Sequence, residues 1–339
     1  MLNTILANIS LKPYNTFGID VKAKHFVSVK SVEELKSVLK LKDFSQKFIL
    51  GGGSNMLLTK DIEMLVIHLD LKGIEIVSKT EDTVTIKVAA GENWHDFVLW
   101  CLEHNFGGIE NLSLIPGNIG AAPIQNIGAY GVELRDVFIS CETLHVETQN
   151  INIFTKEACN FDYRNSIFKQ DVKGEYIITS ATLNLTTKNH KLKTTYGAII
   201  EELNKMDIKN PTIQDVSNAV IAIRESKLPN PKVIGNSGSF FKNPIITKSH
   251  FNKLKINFPE IPSYIVSDNS IKIPAGWLIE HLGFKGKRFK NYGVHNKQAL
   301  VLVNYDDANG EDIFKLSQLI QSTVKRIFDI NLEVEVNII

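Results

Sequence analysis

Residues 114–131 read LIPGNIGAAPIQNIGAYG, an eighteen-residue stretch with four glycines and two prolines. It has neither a helical nor a strand period, and its nearest flanking charges are Glu110 and Glu133. A surface loop of this length is expected to be polar, because uncovered backbone needs water. This one is mostly small and apolar, so something is expected to cover it. Gly117, Gly120, Ala121 and Ala122 are small enough to let backbone N–H groups approach a ligand closely, and a run of free amides can cradle phosphate oxygens. A second cluster, Gly51-Gly52-Gly53-Ser54-Asn55, follows the apolar run Phe48-Ile49-Leu50 and offers the same chemistry. Either cluster alone reads more readily as a structural turn. Two of them, one long and uncharged, point to a bound cofactor.

A chain of 339 residues exceeds one ordinary core and suggests two or three lobes. Apolar residues make up 43% and charged residues 22%, the composition of a soluble globular protein. The net charge of +1 gives no electrostatic case for nucleic acid or an acidic membrane surface. Cys101, Cys141 and Cys159 are widely spaced and lack a C-x-x-C pattern, so neither a disulfide framework nor a zinc site is expected. The nine histidines show no metal-binding spacing, and no catalytic metal is expected. No apolar run approaches the roughly 20 residues that span a bilayer, and residues 1–18 lack the features of a secretion signal. A cytoplasmic location is the expectation.

Outward from the glycine clusters, Phe26–Val29 alternates as a strand, and Ser31 followed by Glu33 and Glu34 reads as the cap of a helix. Phe48–Leu50 then runs into the first glycine cluster. A dinucleotide-binding βαβ unit is rejected there: the G-x-G-x-x-G spacing is absent and no helix pattern begins after Asn55. Strands are expected at 64–69, 74–77 and 84–88, then a helix carrying Trp94, Phe97, Val98 and Cys101. Beyond the long glycine stretch, strands resume at 137–139, 144–146 and 176–183. An amphipathic helix at 213–223 ends before Lys227-Leu228-Pro229-Asn230-Pro231, a lobe boundary. The last third is read as a helical region at 245–258, a helix at 275–282, a strand at 299–304, a long helix at 311–328 and a closing strand at 332–339. This is an α+β pattern with largely antiparallel strands.

Three segments could carry chemistry. Arg164, among Asp162, Tyr163, Asn165 and Ser166, could make a bidentate contact with a carboxylate or phosphate, although an arginine alone usually means surface. Residues 236–244, NSGSFFKNP, crowd serines, a lysine and amides around two phenylalanines. Ser239 is a candidate nucleophile or proton donor, and a hairpin loop with its phenylalanines in the core fits the local pattern equally well. Glu333 and Glu335 share one face of the closing strand, ordinarily a solvated one. A covered face would instead keep one carboxyl protonated and able to donate.

Together these motifs resemble the UDP-N-acetylenolpyruvoylglucosamine reductases (MurB) of bacterial peptidoglycan synthesis. The resemblance runs from about residue 13 to 339. It is carried by NTFG at 15–18, GGGSN at 51–55, AGENW at 90–94, IPGNIGAAPIQNIGAYG at 115–131, YRNSIFK at 163–169, KLPNPKVIGNSGSFFKNP at 227–244, PAGWLIE at 274–280 and EVEV at 333–336. Tyr196 in TTYGAI further resembles the branch with a tyrosine-bearing substrate loop. The resemblance implies the two-lobed FAD-binding fold shared with vanillyl-alcohol oxidase plus a C-terminal α+β substrate domain. The expected division is 1–68 and 69–211 for the FAD lobes and 212–339 for substrate, with strand 332–339 reaching the flavin site.

It also implies a noncovalent FAD that takes hydride from NADPH and passes it to the enolpyruvyl ether of UDP-N-acetylglucosamine, giving UDP-N-acetylmuramate. Ser239 would donate the proton, with Arg164 and Glu335 stabilising the enolate-like intermediate. Tyr163, Tyr196, Lys227, Asn243, Tyr264 and Gln298 would hold the UDP-sugar. The flavin would rest on residues 51–55 and on Ile115, Pro116, Gly117, Gly120, Ala121, Ala122, Gln125, Asn126, Gly128, Ala129 and Tyr130. Ala121 and Ala122 lack the hydroxyls of some relatives, so phosphate contacts there would rest on backbone amides. Asn337 stands where the family often has arginine. A monomer is expected. The competing readings are a flavin oxidase of the same fold and a noncatalytic nucleotide-sugar-binding module.

Overall fold

The computed structural model describes residues 4–339. The described chain divides into two compact units: residues 4–9, 23–52 and 63–226 form the first, and residues 10–22, 53–62 and 227–339 the second.

The first unit contains two larger sheets. One has four strands in the order Leu6–Ser10, Lys22–Val29, Ile62–Leu69, Lys47–Leu50. Its last two strands pair in parallel, Lys47 opposite Leu65 through Leu50 opposite His68. Helix α1 (Val32–Leu39) begins at Ser31, whose side chain accepts from the Glu34 N–H, and buries Leu35, Val38 and Leu39. Those residues pack with Val27, Val29, Leu65 and Ile67 into a core of their own. The second sheet is antiparallel throughout, in the order Ile151–Thr155, Phe138–His145, Tyr176–Thr186, Thr83–Ala89, Ile74–Lys79. Along Thr83–Ala89, Val84, Ile86 and Val88 face inward in strict alternation. They meet Trp94, Phe97, Val98 and Cys101 of α2 (Trp94–Glu103), which Asn93 caps by accepting from His95 and Asp96 N–H groups. Trp94 is 1% exposed, and its indole N–H donates to Leu112 O at 3.0 Å. Helices α3 (Ile199–Lys205) and α4 (Ile213–Lys227) share a smaller core of Ile199, Leu203, Val216, Ala219, Val220 and Ile223. The first unit keeps α4 through Ser226.

The second unit gathers its early segments for a local reason. The Asn15 side chain donates to Leu11 O and Ile19 O and accepts from Ile19 N–H, making 11–19 a closed loop. Its Phe17 carbonyl accepts from Asn304, and a Cβ added to Gly235 would lie 2.1 Å from that same oxygen. The helical region expected at 245–258 is a strand, Ile245–Thr247, followed by α5 (Lys248–Asn257). Pro244 precedes two β-branched isoleucines that pair with Ile271 and Lys272, and Thr247 caps α5 by accepting from His250 N–H. Strand Tyr264–Ser267 completes that small sheet, an element with no counterpart in the sequence reading. Helices α6 (Ala275–His281) and α7 (Gly310–Phe328) appear where expected, and the strand expected at 299–304 shortens to Leu302–Asn304. The closing strand is shorter as well. Val334 bridges Phe241, and only Asn337–Ile338 forms a ladder, in parallel with Met56–Leu57. No helix among the described residues is long and apolar enough to cross a membrane.

Truncating the buried indole should be costly. Trp94→Ala should lower unfolding stability by about 3–5 kcal/mol in urea titrations, through lost burial and the orphaned Leu112 carbonyl. A loss below about 1 kcal/mol would remove Trp94 from the core. Burial also lowers the pKa of His68, His95 and His295 below the ordinary 6.5. The unfolded chain then binds protons first, so stability is full above pH 6.5 and falls as pH drops below it, until the folded-state pKa values are reached. The urea midpoint should be lower at pH 5.5 than at 7.5, and the His68→Gln, His95→Gln pair should flatten that slope; an unchanged slope would exclude these two rings.

Candidate functional site

The glycine stretch lies against strand Thr83–Ala89 and the turn after it. Gly120 N–H donates to Ala90 O and Ile119 N–H to Glu92 O, both at 2.9 Å. A Cβ on Gly120 would sit 2.7 Å from the Ala90 Cβ, so glycine is required for this approach. The Ala121 and Ala122 N–H groups donate to Asn118 O and Ile119 O, each at 3.0 Å, within a 3₁₀ turn. This corrects the expectation that those three amides stand open to a phosphate: the small residues here serve close packing. The uncommitted amides lie nearby. Gly51, Gly52 and Gly117 N–H groups donate to no described residue. The two glycine clusters also meet, since a Cβ on Gly52 would come within 2.8 Å of Asn118 Oδ1. Open amides beside backbone that tolerates no side chain fit a phosphate-bearing cofactor such as FAD.

The stretch ends in a tight hairpin, Gly128–Ala129 paired with Val132–Glu133. Tyr130 (φ +48°) and Gly131 (φ +79°) form its turn, both left-handed as such two-residue turns require. Arg164 (φ +54°) sits on a second two-residue turn, where Asp162 and Asn165 exchange N–H···O bonds of 3.1 Å. Buried groups lock the two turns together. Ser166 Oγ donates to Ile124 O at 2.6 Å, while the Asn126 amide donates to Glu133 and to Asp162 O and accepts from Arg135 N–H. Asn126, expected to touch the cofactor, thus has both amide hydrogens engaged within the protein and acts as a brace. Leu114, Asn126, Tyr130 and Arg164 all hold left-handed backbone at some energetic cost, a cluster typical of functional sites.

Around these turns lies a cavity of ≈ 470 Å³, lined by Tyr130, Arg135, Tyr163, Arg164, Lys193 and Tyr196 among others. Arg135 pairs with Glu133 and Lys193 with Asp136. Tyr163 and Tyr196 are exposed, and the Tyr130 phenol is pushed upward in pKa by burial. Arg164, Tyr163, Tyr196 and the Gly128–Tyr130 segment, read separately in the sequence, therefore converge.

In the second unit, residues 239–242 run between two other segments. Phe240 N–H donates to Leu300 O, Lys242 N–H to Glu333 O, and Glu335 N–H to Phe240 O. Phe240 and Phe241 are buried and pack edge to face, so the core reading of those rings holds. Ser239, half-buried, flanks Phe240 on one strand while Glu335 bonds to it from the next. Glu333 is exposed and paired with Lys242, whereas Glu335 is half-buried. The two glutamates do not share one environment. Asn243 accepts from Ala275 N–H, and Gln298 from Leu300 N–H. Lys227 and Tyr264 are exposed. Asn337 donates from its side chain to Asn55 O at 2.8 Å, fastening the chain end to the Gly53-Ser54-Asn55 segment. Sequence reasoning missed the bracing roles of Asn15, Asn304 and Asn337, because an amide that bonds to backbone has no periodic signature.

Residues 23–148 match an FAD binding domain, and residues 229–339 match the C-terminal domain of UDP-N-acetylenolpyruvoylglucosamine reductase. The chain is 59% identical over 335 residues to the UDP-N-acetylenolpyruvoylglucosamine reductase of Flavobacterium johnsoniae, covering 99% of each. It is 45% identical over 331 residues to that of Pseudomonas aeruginosa, covering 97% of each. Its fold is similar to the crystal structure of the Thermus caldophilus reductase, with a TM-score of 0.70 at 22% identity over 99% of both chains. With identity this high over nearly its whole length, the chain belongs to the UDP-N-acetylenolpyruvoylglucosamine reductase family.

Proposed function

We propose that this protein reduces the enolpyruvyl ether of UDP-N-acetylglucosamine to UDP-N-acetylmuramate, using NADPH and a noncovalent FAD, as a step in cytoplasmic peptidoglycan precursor synthesis. The observation that carries the reading is the convergence of Arg164, Tyr163, Tyr196 and the Tyr130 hairpin on one cavity in the unit that bears the open glycine amides. When bound, FAD relays hydride from NADPH to the alkene. The amides of Gly51, Gly52 and Gly117 would hold its phosphates. The lobes at 1–68 and 69–211 would carry the cofactor, and 212–339 the substrate, in a monomer.

The remaining roles belong to side chains. Hydride addition to an electron-poor alkene places negative charge beside a carboxylate, and a fixed cation there stabilises it. Arg164 is that cation: its turn is pinned at both ends, so little reorganisation is needed as charge develops. Glu335 would assist from the segment beside Phe240. Ser239 would deliver the proton to the carbon next to the carboxylate, its backbone held between residues 300–301 and 333–335. Tyr163, Tyr196, Lys227, Asn243, Tyr264 and Gln298 would hold the UDP-sugar. The engaged acceptors of Asn243 and Gln298 leave their amide hydrogens for that purpose.

Purified protein should be yellow, and acid precipitation should leave all the colour in the supernatant, because neither glycine segment holds a histidine or cysteine for attachment. Colour in the pellet would contradict noncovalent binding. Lys227→Ala should raise the KM for the UDP-sugar roughly tenfold or more with unchanged flavin content, the size of a charge-assisted phosphate contact. An unaltered KM would place Lys227 elsewhere. Ser239→Ala should keep FAD and be bleached by NADPH at close to the normal rate, while its reoxidation by substrate slows at least about a hundredfold in stopped flow. Normal reoxidation would make the serine structural and shift the proton to another donor, with Glu335 first in line.

A further inference from the structure

Asn111 has no part in the binding and reduction assigned to other side chains, yet it is completely buried. It stands in the middle of a 3₁₀ turn, Glu110–Leu112, that is tied firmly to its neighbours. Leu112 O accepts from the Trp94 indole of α2, and Ser113 shares a 2.7 Å bond with Ser217 of α4. The Glu110 carboxylate accepts from Gly108 N–H at 2.6 Å. From this fixed base the Asn111 side chain donates to Tyr130 O at 3.0 Å and to Lys193 O at 2.7 Å. Its Oδ1 is sealed from solvent and accepts from no described residue, so the group serves as a donor.

The two carbonyls belong to separate segments that line the same cavity. One is the Tyr130 hairpin. The other is the root of a strap, residues 194–198, which carries Tyr196 and forms no helix or strand before α3 begins at Ile199. The strap lies on the hairpin turn. A Cβ on Gly131 would come within 3.1 Å of the Tyr196 Cβ, and one on Gly197 within 3.7 Å of the Tyr130 ring. Leu192 and Ala198, on either side of the strap, pack with Tyr130 on the core of α3 and α4. At the surface the Lys193 ammonium repeats the link, donating to Asp136 at 3.2 Å and to Gly131 O at 3.5 Å. Tyr196 itself is 61% exposed. A side chain that open is held in place by the backbone on either side of it rather than by its own packing.

We infer that Asn111 is a positioning residue: it clamps the root of the Tyr196 strap to the Tyr130 hairpin and thereby sets how tightly the UDP-sugar is held, without touching it. The inference rests on the UDP-sugar reading of this cavity. Asparagine suits the task because one nitrogen carries two hydrogens, each aimed at one carbonyl; serine offers one and alanine none. With the strap ordered before the ligand arrives, less conformational entropy is lost on binding.

The test uses the full-length holoenzyme as wild type, Asn111→Ala, Asn111→Ser, Tyr196→Ala and the Asn111→Ala, Tyr196→Ala pair. Asn111→Ala should raise the KM for the UDP-sugar roughly tenfold, with flavin content unchanged and kcat within about threefold. Asn111→Ser should fall between. The double variant should have a KM within about threefold of Tyr196→Ala alone, because the clamp acts through that side chain. Fully additive effects, or a fall in kcat with KM unaltered, would make Asn111 an ordinary fold residue and overturn the inference. The strap can also be read without substrate. Trypsin cuts the Lys193–Thr194 bond at the very carbonyl that Asn111 holds, and the exposed Lys209–Asn210 bond serves as reference. In wild type the first bond should be cut at least about tenfold more slowly than the second, and the Asn111 variants should lose that protection at the first bond alone. Equal cutting in wild type, or faster cutting at both bonds in the variants, would remove the clamp. Should neither variant fold, the wild-type ratio decides. Should wild type turn over no UDP-sugar, the functional reading fails separately, and the cleavage pattern still decides the clamp.

Discussion

The approach of Gly120 to Ala90 is the constraint on which the site depends. With no Cβ at 120, the chain can lie directly on the turn after Thr83–Ala89 and bond to it through Gly120 and Ile119 N–H groups. That contact fixes an otherwise aperiodic stretch against a rigid antiparallel sheet. The rest of the site is built on this anchorage step by step. Asn126 and Ile124 can brace the Arg164 turn only because the segment carrying them is already held. The Tyr130 hairpin then projects from a fixed base. Sites held by rigid elements keep their geometry better than sites on free loops.

The small residues divide the labour among themselves. Gly120 is required by packing, Gly131 by the left-handed turn, and Gly51 by neither: a Cβ there would meet nothing within 4 Å. Side-chain space in the fold therefore sets no limit on substitution at Gly51. The polar braces show a similar split. The Asn15 side chain bonds only to backbone, whereas Asn126 divides its two amide hydrogens between Asp162 O and the Glu133 carboxylate.

Much of this is legible in the sequence, and the exceptions have physical causes. Strand alternation at 84–88 and the capped helices around Val38 and Trp94 are local signals, and they survive into the structure. The glycine clusters stand out by composition, but composition does not separate Gly117, whose amide is open, from Gly120, whose amide is bonded. That distinction depends on which strand lies beneath. The segment at 245–247 carries an apolar run compatible with either a helix or a strand, and pairing with Ile271 and Lys272 decides it. The closing strand looks continuous because Leu332, Val334 and Val336 alternate, yet only Asn337 and Ile338 find a ladder.

The ladder between Met56–Leu57 and Asn337–Ile338 is extended by Thr59, which holds the Ile339 carbonyl, 280 positions away, at 2.7 and 2.8 Å. On the ribosome, the segment carrying Asn55 has left the exit tunnel long before its partner is translated. The second unit thus stays incomplete until residues 337–338 emerge, with the Met56–Leu57 edge open throughout. The first unit has all its chain by residue 226. An unpaired apolar strand edge is thus available to a chaperone or a neighbouring chain from the emergence of residue 57 until residues 337–338 are made.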